Sequence, residues 1–443
     1  MSDDFLTSEQ TENYGRYVAD PNEVQLARYF HLDERDLAFI NQRRGKHNRL
    51  GIALQLTTAR FLGTFLPDPL QIPSFIRFYI AAQLNISRPE ILSRYAEREN
   101  TRWEHQGLIK LYYDYHDFGD FPWTFRLKRL LYTRAWLSNE RPGLLFDFAT
   151  AWLLQNKILL PAASTLTRLI GEVRERASRR LWRRLALLPD SWQKTQLDGL
   201  LEIPEGQRIS VLEEMRKGPV TISGPSFTDA LERYTRLRSM EFSRLNFSGL
   251  PAIQLRNLAR YAGMASVKYI SRMPDERRLA VLTAFVKAQE ISALDEAVDV
   301  LDMLILDITR SAKNIGQKKR LRTLKDLDRA ALLLARACTL LLDENTDEAA
   351  LRQAIFRRIP KDKLAESVGK VNELARPQDT QFQDEMVEQY GRVKRFLSAM
   401  LRDLHFQAAP AGELTLSAIH YLAELSGSKK RILDDAPEQI ISG

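Results

Sequence analysis

The sequence is poor in the features that indicate a disulfide, a zinc site or a membrane span. Its 443 residues include one cysteine, Cys338, which excludes an internal disulfide, and no Cys/His spacing matches a zinc finger. The most apolar stretch, Ala330 to Leu342, is shorter than the roughly 20 residues that span a bilayer and carries Arg336. Residues 1–20 are acidic and polar, unlike a secretory signal. We therefore expect a cytoplasmic protein without a membrane segment.

Motifs that carry catalysis are also missing. We find no Gly-rich phosphate loop, no nucleophile elbow and no helical His-Glu-x-x-His zinc site. One loop, with Asp114, His116, Asp117 and Asp120, offers oxygen and nitrogen ligands to a metal ion. Its spacing does not match a calcium loop, and adjacent loop acids more often cap helices or stay solvated. We predict no enzyme activity and neither a metal nor a cofactor.

Alternation typical of β-strands is almost absent. Apolar residues recur every three or four positions between short Pro, Gly or Asx breaks, which is typical of helices, and the length exceeds one compact core. We predict an all-α protein with several helical modules, similar to helix-turn-helix units, followed by a scaffold or dimerisation region. The predicted boundaries are 1–73 for a first helical module, 74–160 for an aromatic-rich module, 161–290 for a basic module and 291–443 for the helical scaffold.

Positive charge is concentrated in the middle of the chain. The net charge is +8, and residues 161–290 alone hold 22 Lys and Arg against 14 Asp and Glu. A long helix predicted from Ser164 to Leu188 places its apolar residues on one face and most of its arginines off that face. These arginines are Arg168, Arg176, Arg179, Arg180, Arg183 and Arg184. Guanidinium groups bind phosphate bidentately and keep their charge, so the stripe suits a phosphate backbone. The alternative is a solvated face partly paired with Glu172 and Glu175.

Residues 22–66 have the size of a helix-turn-helix. Asp33 is a natural N-cap, Gly45 lies in a basic turn, and a third helix ends near Gly63. Sequence defines this motif only weakly, so its function needs further support.

Several stretches, in order and spacing, resemble the large replicative transposases of the Tn-three family. They are LARYFHLDERDLAFINQRRGKHNRLGIALQLTTARFLGTF at Leu26–Phe65, RYAERENTRWEH at Arg94–His105, LPAASTLTRLI at Leu160–Ile170, and LPAIQLRNLARYAGMASVKYISRMPDERRLAVLTAFV at Leu250–Val286. The resemblance implies that this portion recognises the terminal inverted repeats of a transposon. It also implies that the Asp-Asp-Glu catalytic domain lies further toward the carboxyl end, so no catalytic residue is carried over to this chain. A short relative that occupies the ends without cutting them would repress transposition.

The first of these stretches assigns candidate DNA-binding residues to the turn and the start of the following helix. They are Arg43, Arg44, Lys46, Asn48 and Arg49. A recognition helix enters the major groove by its amino-terminal end, where Arg pairs with guanine and Asn with adenine. The alternative is that Asn48 caps the helix and that the resemblance reflects packing of Leu50 and Leu54.

Two functions from different classes follow. The first is sequence-specific binding of double-stranded DNA at transposon ends, in a nucleoid-associated protein acting as a homodimer or with a partner transposase. The second is a helical scaffold that dimerises through Ile291–Ile308 and Ala330–Leu342 and meets acidic protein surfaces with its arginines.

Overall fold

The computed structural model describes residues 5–342, 351–374 and 383–426. Across these ranges the chain forms helices and no β-sheet, and the β-type pairing recorded there is an isolated bridge between His116 and Ile158. The predicted all-α class is confirmed. Residues 343–350, 375–382 and 427–443 of the predicted scaffold region lie outside the described residues.

The chain divides into two compact units. The first consists of Met1–Asp190 and Asn246–Phe285, and the second consists of Ser191–Leu245 and Val286–Gly443. Both units are discontinuous in sequence. The four-part division stays a prediction.

The first unit contains most of the shorter helices. They are α1 (Ser8–Asn13), α2 (Glu23–Gln25) with a π-helical turn at Leu26–Phe30, α3 (Glu34–Asn41), α4 (Lys46–Leu62), α5 (Ser74–Gln83), α6 (Leu92–Ala96), α7 (Glu99–Tyr113), α8 (Trp123–Leu137), α9 (Pro142–Gln155) and α10 (Ala163–Ala186). Short 3-10 turns form at Pro69–Gln71 and Pro89–Ile91.

The chain then passes through the second unit and returns. The helices of that excursion are α11 (Ser191–Gly199), α12 (Val211–Met215) and α13 (Gly224–Ser239). Back in the first unit lie α14 (Ala252–Met264), α15 (Val267–Ser271) and the start of α16 (Asp275–Leu341), whose residues after Phe285 belong to the second unit. The last helices are α17 (Leu351–Arg358), α18 (Lys361–Leu374), α19 (Gln383–Glu388), α20 (Tyr390–Asp403) and α21 (Glu413–Ser426).

Local sequence signals set the ends of α3 and α4. The Asp33 carboxylate accepts a hydrogen bond from the Asp36 backbone N–H, and the Asp36 carboxylate accepts one from the Asp33 backbone N–H, which forms a capping box. Gly45, with φ of 83°, precedes α4, and Gly63, with φ of 72°, ends it. Glycine suits both positions because positive φ strains residues that carry a Cβ atom.

Two clusters of buried side chains form the greater part of the core of the first unit. One surrounds α4, in which all ten residues from Leu50 to Ala59 are buried. The other joins α8 and α9 to the apolar face of α10. Within the described ranges, none of the helices is both long enough and apolar enough to cross a membrane.

Candidate nucleic-acid interface

Helix α10 has one buried apolar face and one exposed cationic face. Its buried residues recur every three or four positions, and they include Leu166, Leu169, Ile170, Val173, Ala177, Leu181 and Leu185. This spacing leaves the predicted arginines, Arg168, Arg176, Arg179, Arg180, Arg183 and Arg184, exposed to solvent. The predicted helix is confirmed, and its charge stays accessible because burial of the opposite face orients it.

An open groove of about 1000 Å³ lies between α8 and α10. Its lining includes seven cationic side chains and two carboxylates. The cationic residues are Lys128, Arg129, Arg176, Arg179, Arg180, Arg183 and Arg184, and the carboxylates are Glu172 and Glu175. The groove is therefore an electropositive surface suited to a polyanion.

Aromatic residues of α8 hold two of these arginines in place. The Arg176 guanidinium lies 6.0 Å from the centroid of the Tyr132 ring, and that of Arg180 lies 5.1 Å from the centroid of the Trp136 ring. Nη1 of Arg180 also donates to the Tyr132 hydroxyl at 3.1 Å. These contacts orient the guanidinium groups without neutralising them. An anion in the groove would therefore meet cations that have already lost part of their rotamer freedom.

Other arginines of α10 pair with carboxylates at the surface. Arg179 contacts Glu175 at 2.5 Å, Arg183 contacts Glu276 at 3.6 Å, and both partners of each pair are more than half exposed. Exposed pairs of this kind contribute only about 0.2–1 kcal/mol, so phosphate can replace the carboxylate at small cost. Arg184 donates instead to the carbonyl oxygen of Gly249 at 3.3 Å.

The structure thus brings five of the six predicted arginines of α10 together. Arg168 is the exception, because it does not line the groove and lies 4.0 Å from Glu172. Sequence reasoning also missed three residues of α8, namely Phe125, Lys128 and Arg129. With Tyr132 they have the i, i+3, i+4, i+7 spacing of one helical face, a signal visible in the sequence. They lie in the module that was predicted only as aromatic-rich.

In the basic turn between α3 and α4, some side chains are exposed to solvent and others bind backbone carbonyls of the turn. Arg44 and Lys46 are exposed. Asn48 and Arg49 point back to the turn: Nδ2 of Asn48 donates to the Arg44 carbonyl oxygen at 2.9 Å, and Nε of Arg49 donates to that of Arg43 at 2.9 Å. A second Arg49 nitrogen donates to the carbonyl oxygen of residue 41 at 3.2 Å. These bonds hold the turn in shape and leave its two exposed cations free to meet solvent.

Arg43 anchors the base of this turn. It is half-buried, with its guanidinium 5.4 Å from the centroid of the Phe39 ring. Behind it, Nδ1 of buried His105 lies 3.0 Å from the Tyr95 hydroxyl. Burial, and secondarily the positive charge of Arg43, lower the pKa of His105 to about 4. His105 is therefore neutral at pH 7 and shares a hydrogen bond with the Tyr95 hydroxyl.

A buried ion pair joins α3 to α4. Asp36 is 1% exposed, and its two carboxylate oxygens accept hydrogen bonds from Arg60 at 2.7 and 2.5 Å. The Tyr113 hydroxyl donates a third at 2.7 Å. Burial alone would raise the pKa of Asp36, but the hydrogen bonds from Arg60 and Tyr113 and the charge of Arg60 outweigh it and keep this pKa below its usual value. The pair fixes the two helices that flank the basic turn.

The loop considered for a metal ion uses its acids in other contacts. Asp117 forms an ion pair with Lys110 at 2.7 Å, and Asp120 accepts a hydrogen bond from the Asp117 backbone N–H at 3.0 Å. Nε2 of His116 lies 3.5 Å from Asp114. Over the described part of the chain, no group of three or more His, Cys, Asp and Glu side chains is arranged to hold a metal.

The chain is similar in sequence to known transposases. A family model described as a domain of unknown function, DUF4158, matches residues 5–173. The chain is 77% identical over its whole length to the transposase for transposon gamma-delta from Escherichia coli strain K12, of which it covers 44%. It is 26% identical to the transposase for transposon Tn1546 from Enterococcus faecium over 99% of this chain and 44% of that protein. Against the transposase for transposon Tn501 from Pseudomonas aeruginosa, the identity is 28% over 94% of this chain and 42% of that protein. The chain thus spans less than half the length of these curated relatives, and its similarity to them extends over nearly all of its own length.

Proposed function

We propose that this chain binds double-stranded DNA at the terminal inverted repeats of a transposon, with the α8/α10 groove as the main contact to the sugar-phosphate backbone. The observation that carries the proposal is the excess of cations in the groove, seven against two carboxylates. Phosphate contacts of this kind supply affinity and register but no sequence preference.

We propose that the basic turn before α4 supplies contacts near the base edges. Arg44 and Lys46 are exposed at the amino-terminal end of a helix, which is the end that enters a major groove. Arg43, Asn48 and Arg49 support this contact by shaping the turn through their aromatic and carbonyl partners. Occupation of the repeats without cleavage would repress transposition.

The experiment compares binding of the chain to an inverted-repeat duplex and to a scrambled duplex of equal length at near-physiological salt. We expect tighter binding to the repeat, and we expect Arg44→Ala and Lys46→Ala to reduce that preference while leaving the thermal unfolding midpoint unchanged. Equal affinity for the two duplexes would contradict sequence-specific recognition. Absence of binding to both would contradict the DNA-binding function itself.

An exposed apolar row on α16 favours a second function, dimerisation or contact with a partner transposase. Ile291, Val298 and Ile305 are exposed and lie seven residues apart, so they occupy one equivalent position of successive heptads on the same side of the helix. Sedimentation of the wild-type chain and of Val298→Glu tests it, and we expect the substitution to shift a dimer toward monomer. A monomeric wild-type chain would contradict dimerisation.

A further inference from the structure

The groove between α8 and α10 contains an apolar ring that phosphate binding does not require. Phe125 is 62% exposed and lines the groove together with its cationic residues. Tyr132 and Trp136 have a clear role, since they hold Arg176 and Arg180. Among the ring and cation contacts recorded for the described residues, by contrast, none involves Phe125. Its ring face is therefore available to a ligand.

Phe125 is placed so that a bound nucleic-acid strand would reach it. It shares a helical face with Lys128 and Arg129, which are three and four residues further along α8. One helical turn advances about 5.4 Å along the axis, so the ring lies close to any phosphate that these cations bind. The bases attached to such phosphates present flat apolar faces, which stack on aromatic side chains regardless of base identity.

We propose that Phe125 stacks on an unpaired or unstacked base, so that the groove prefers distorted DNA to an intact duplex. This inference rests on the proposed DNA-binding function and names the form of DNA that the groove takes. In a regular duplex the base faces are occupied by neighbouring bases, and exposing one requires unstacking, which is unfavourable. A mismatch removes part of that cost, while the cations of the groove bind the phosphates of both forms alike.

The test measures the ratio of two affinities with the full chain. The ligands are an inverted-repeat duplex and the same duplex with a short mismatch moved stepwise along it. We expect the wild-type chain to bind one mismatched duplex more tightly, and Phe125→Ala to weaken that complex about tenfold, which is within the range for one base stacked on an aromatic ring. Binding of the intact duplex should change less than about twofold. The fluorescence of a 2-aminopurine at the preferred position should change on binding to the wild-type chain and not on binding to Phe125→Ala.

Two further variants separate stacking from other effects. Phe125→Tyr keeps an aromatic face and should retain the preference, whereas Phe125→Leu keeps apolar bulk and should lose it. Leu144→Ala removes another exposed apolar side chain, on α9 and outside the groove, and should behave as wild type. If the wild-type chain shows no preference for any mismatched duplex, or if Phe125→Ala keeps the preference, the inference is wrong.

A different double variant tests the proposed DNA-binding function independently of Phe125. Arg176→Gln with Arg180→Gln removes cations of the groove and leaves Phe125 in place. Weaker binding of both DNA forms by this double variant, with an unchanged ratio between them, supports the groove as the DNA-binding surface whatever Phe125 does. Unchanged binding of both forms would contradict the groove itself.

Discussion

Neutralising two arginines of the groove should lower DNA affinity by an amount that depends on salt. Arg176 and Arg180 are exposed, lie one helical turn apart on α10 and are held by aromatic rings of α8. Neither contact cancels their charge, so each can neutralise a phosphate and release its condensed counterion. The double variant Arg176→Gln/Arg180→Gln removes both charges and keeps a shorter, polar side chain at each position.

The size of the effect follows from counterion release. Each neutralised phosphate contributes a slope of about −0.9 to the dependence of log affinity on log salt concentration. Loss of two contacts should make the slope shallower by about 1.8. Lowering the salt concentration from about 1 M to 0.1 M increases the affinity about eightfold for each phosphate contact. Without two contacts, the double variant should therefore bind about sixtyfold more weakly at 0.1 M salt. Fluorescence anisotropy titrations over a series of salt concentrations measure both quantities.

A matched control comes from α14 of the same unit. Arg256 and Arg260 are exposed, have the same i, i+4 spacing and do not line the groove. Arg256→Gln/Arg260→Gln changes the net charge equally, so it reports the effect of charge alone. If the two double variants lose affinity and slope to the same extent, the contact is not localised in the groove and the reasoning above is refuted.

Three further predictions concern stability. Asp36→Asn should lower the free energy of unfolding by about 3 kcal/mol in chemical denaturation, because it leaves Arg60 partly buried without its carboxylate partner. A decrease below about 1 kcal/mol would contradict a structural role for the ion pair. The pKa of His105, lowered to about 4 in the fold from 6.5, means that the unfolded chain binds a proton first as pH falls. Stability should therefore decrease by about 2–3 kcal/mol from pH 7 to pH 4, and His105→Gln should flatten this dependence in thermal melts. Gly63→Ala should destabilise by at least about 1 kcal/mol, because φ is 72° and a Cβ atom would clash with the Leu154 side chain. Gly143→Ala, where a Cβ atom would meet nothing within 4 Å, should be nearly neutral.

Local signals in the sequence were enough to identify α4 and α10, two of the helices that carry candidate site residues. Asp33 and Gly63 mark helix ends through capping and positive φ, both of which depend on a few neighbouring residues. The apolar spacing in α10 predicted its buried face and hence the exposure of its arginines. Periodicity succeeds here because a helix buries whichever face is apolar.

Local sequence signals did not predict the direction of the side chains in the basic turn. The sequence suggested that Arg49 and Asn48 face DNA, but in the fold they donate to backbone carbonyls of the turn. A positive-φ glycine at Gly45 brings those carbonyls within reach. Whether a guanidinium binds a carbonyl or points to solvent depends on this three-dimensional arrangement, which residue types alone do not reveal.

The sequence also predicted only in part which apolar residues are buried. The predicted dimerisation segment Ile291–Ile308 carries apolar residues at helical spacing. Leu301, Leu304 and Ile308 are buried, whereas Val298 and Ile305 are exposed. The periodicity specifies an apolar side of the helix, but the neighbouring helices cover only part of it.

Helix positions, the all-α class and the cationic face of α10 thus follow from the order of residues, because they depend on contacts a few positions apart. The groove between α8 and α10 does not follow from the order of residues. It exists because α8 packs beside α10, and this packing brings Lys128 and Arg129 to arginines about fifty residues later in the chain. Pairing of distant helices depends on how their side chains fit together, and that fit is settled only when the core of the unit forms.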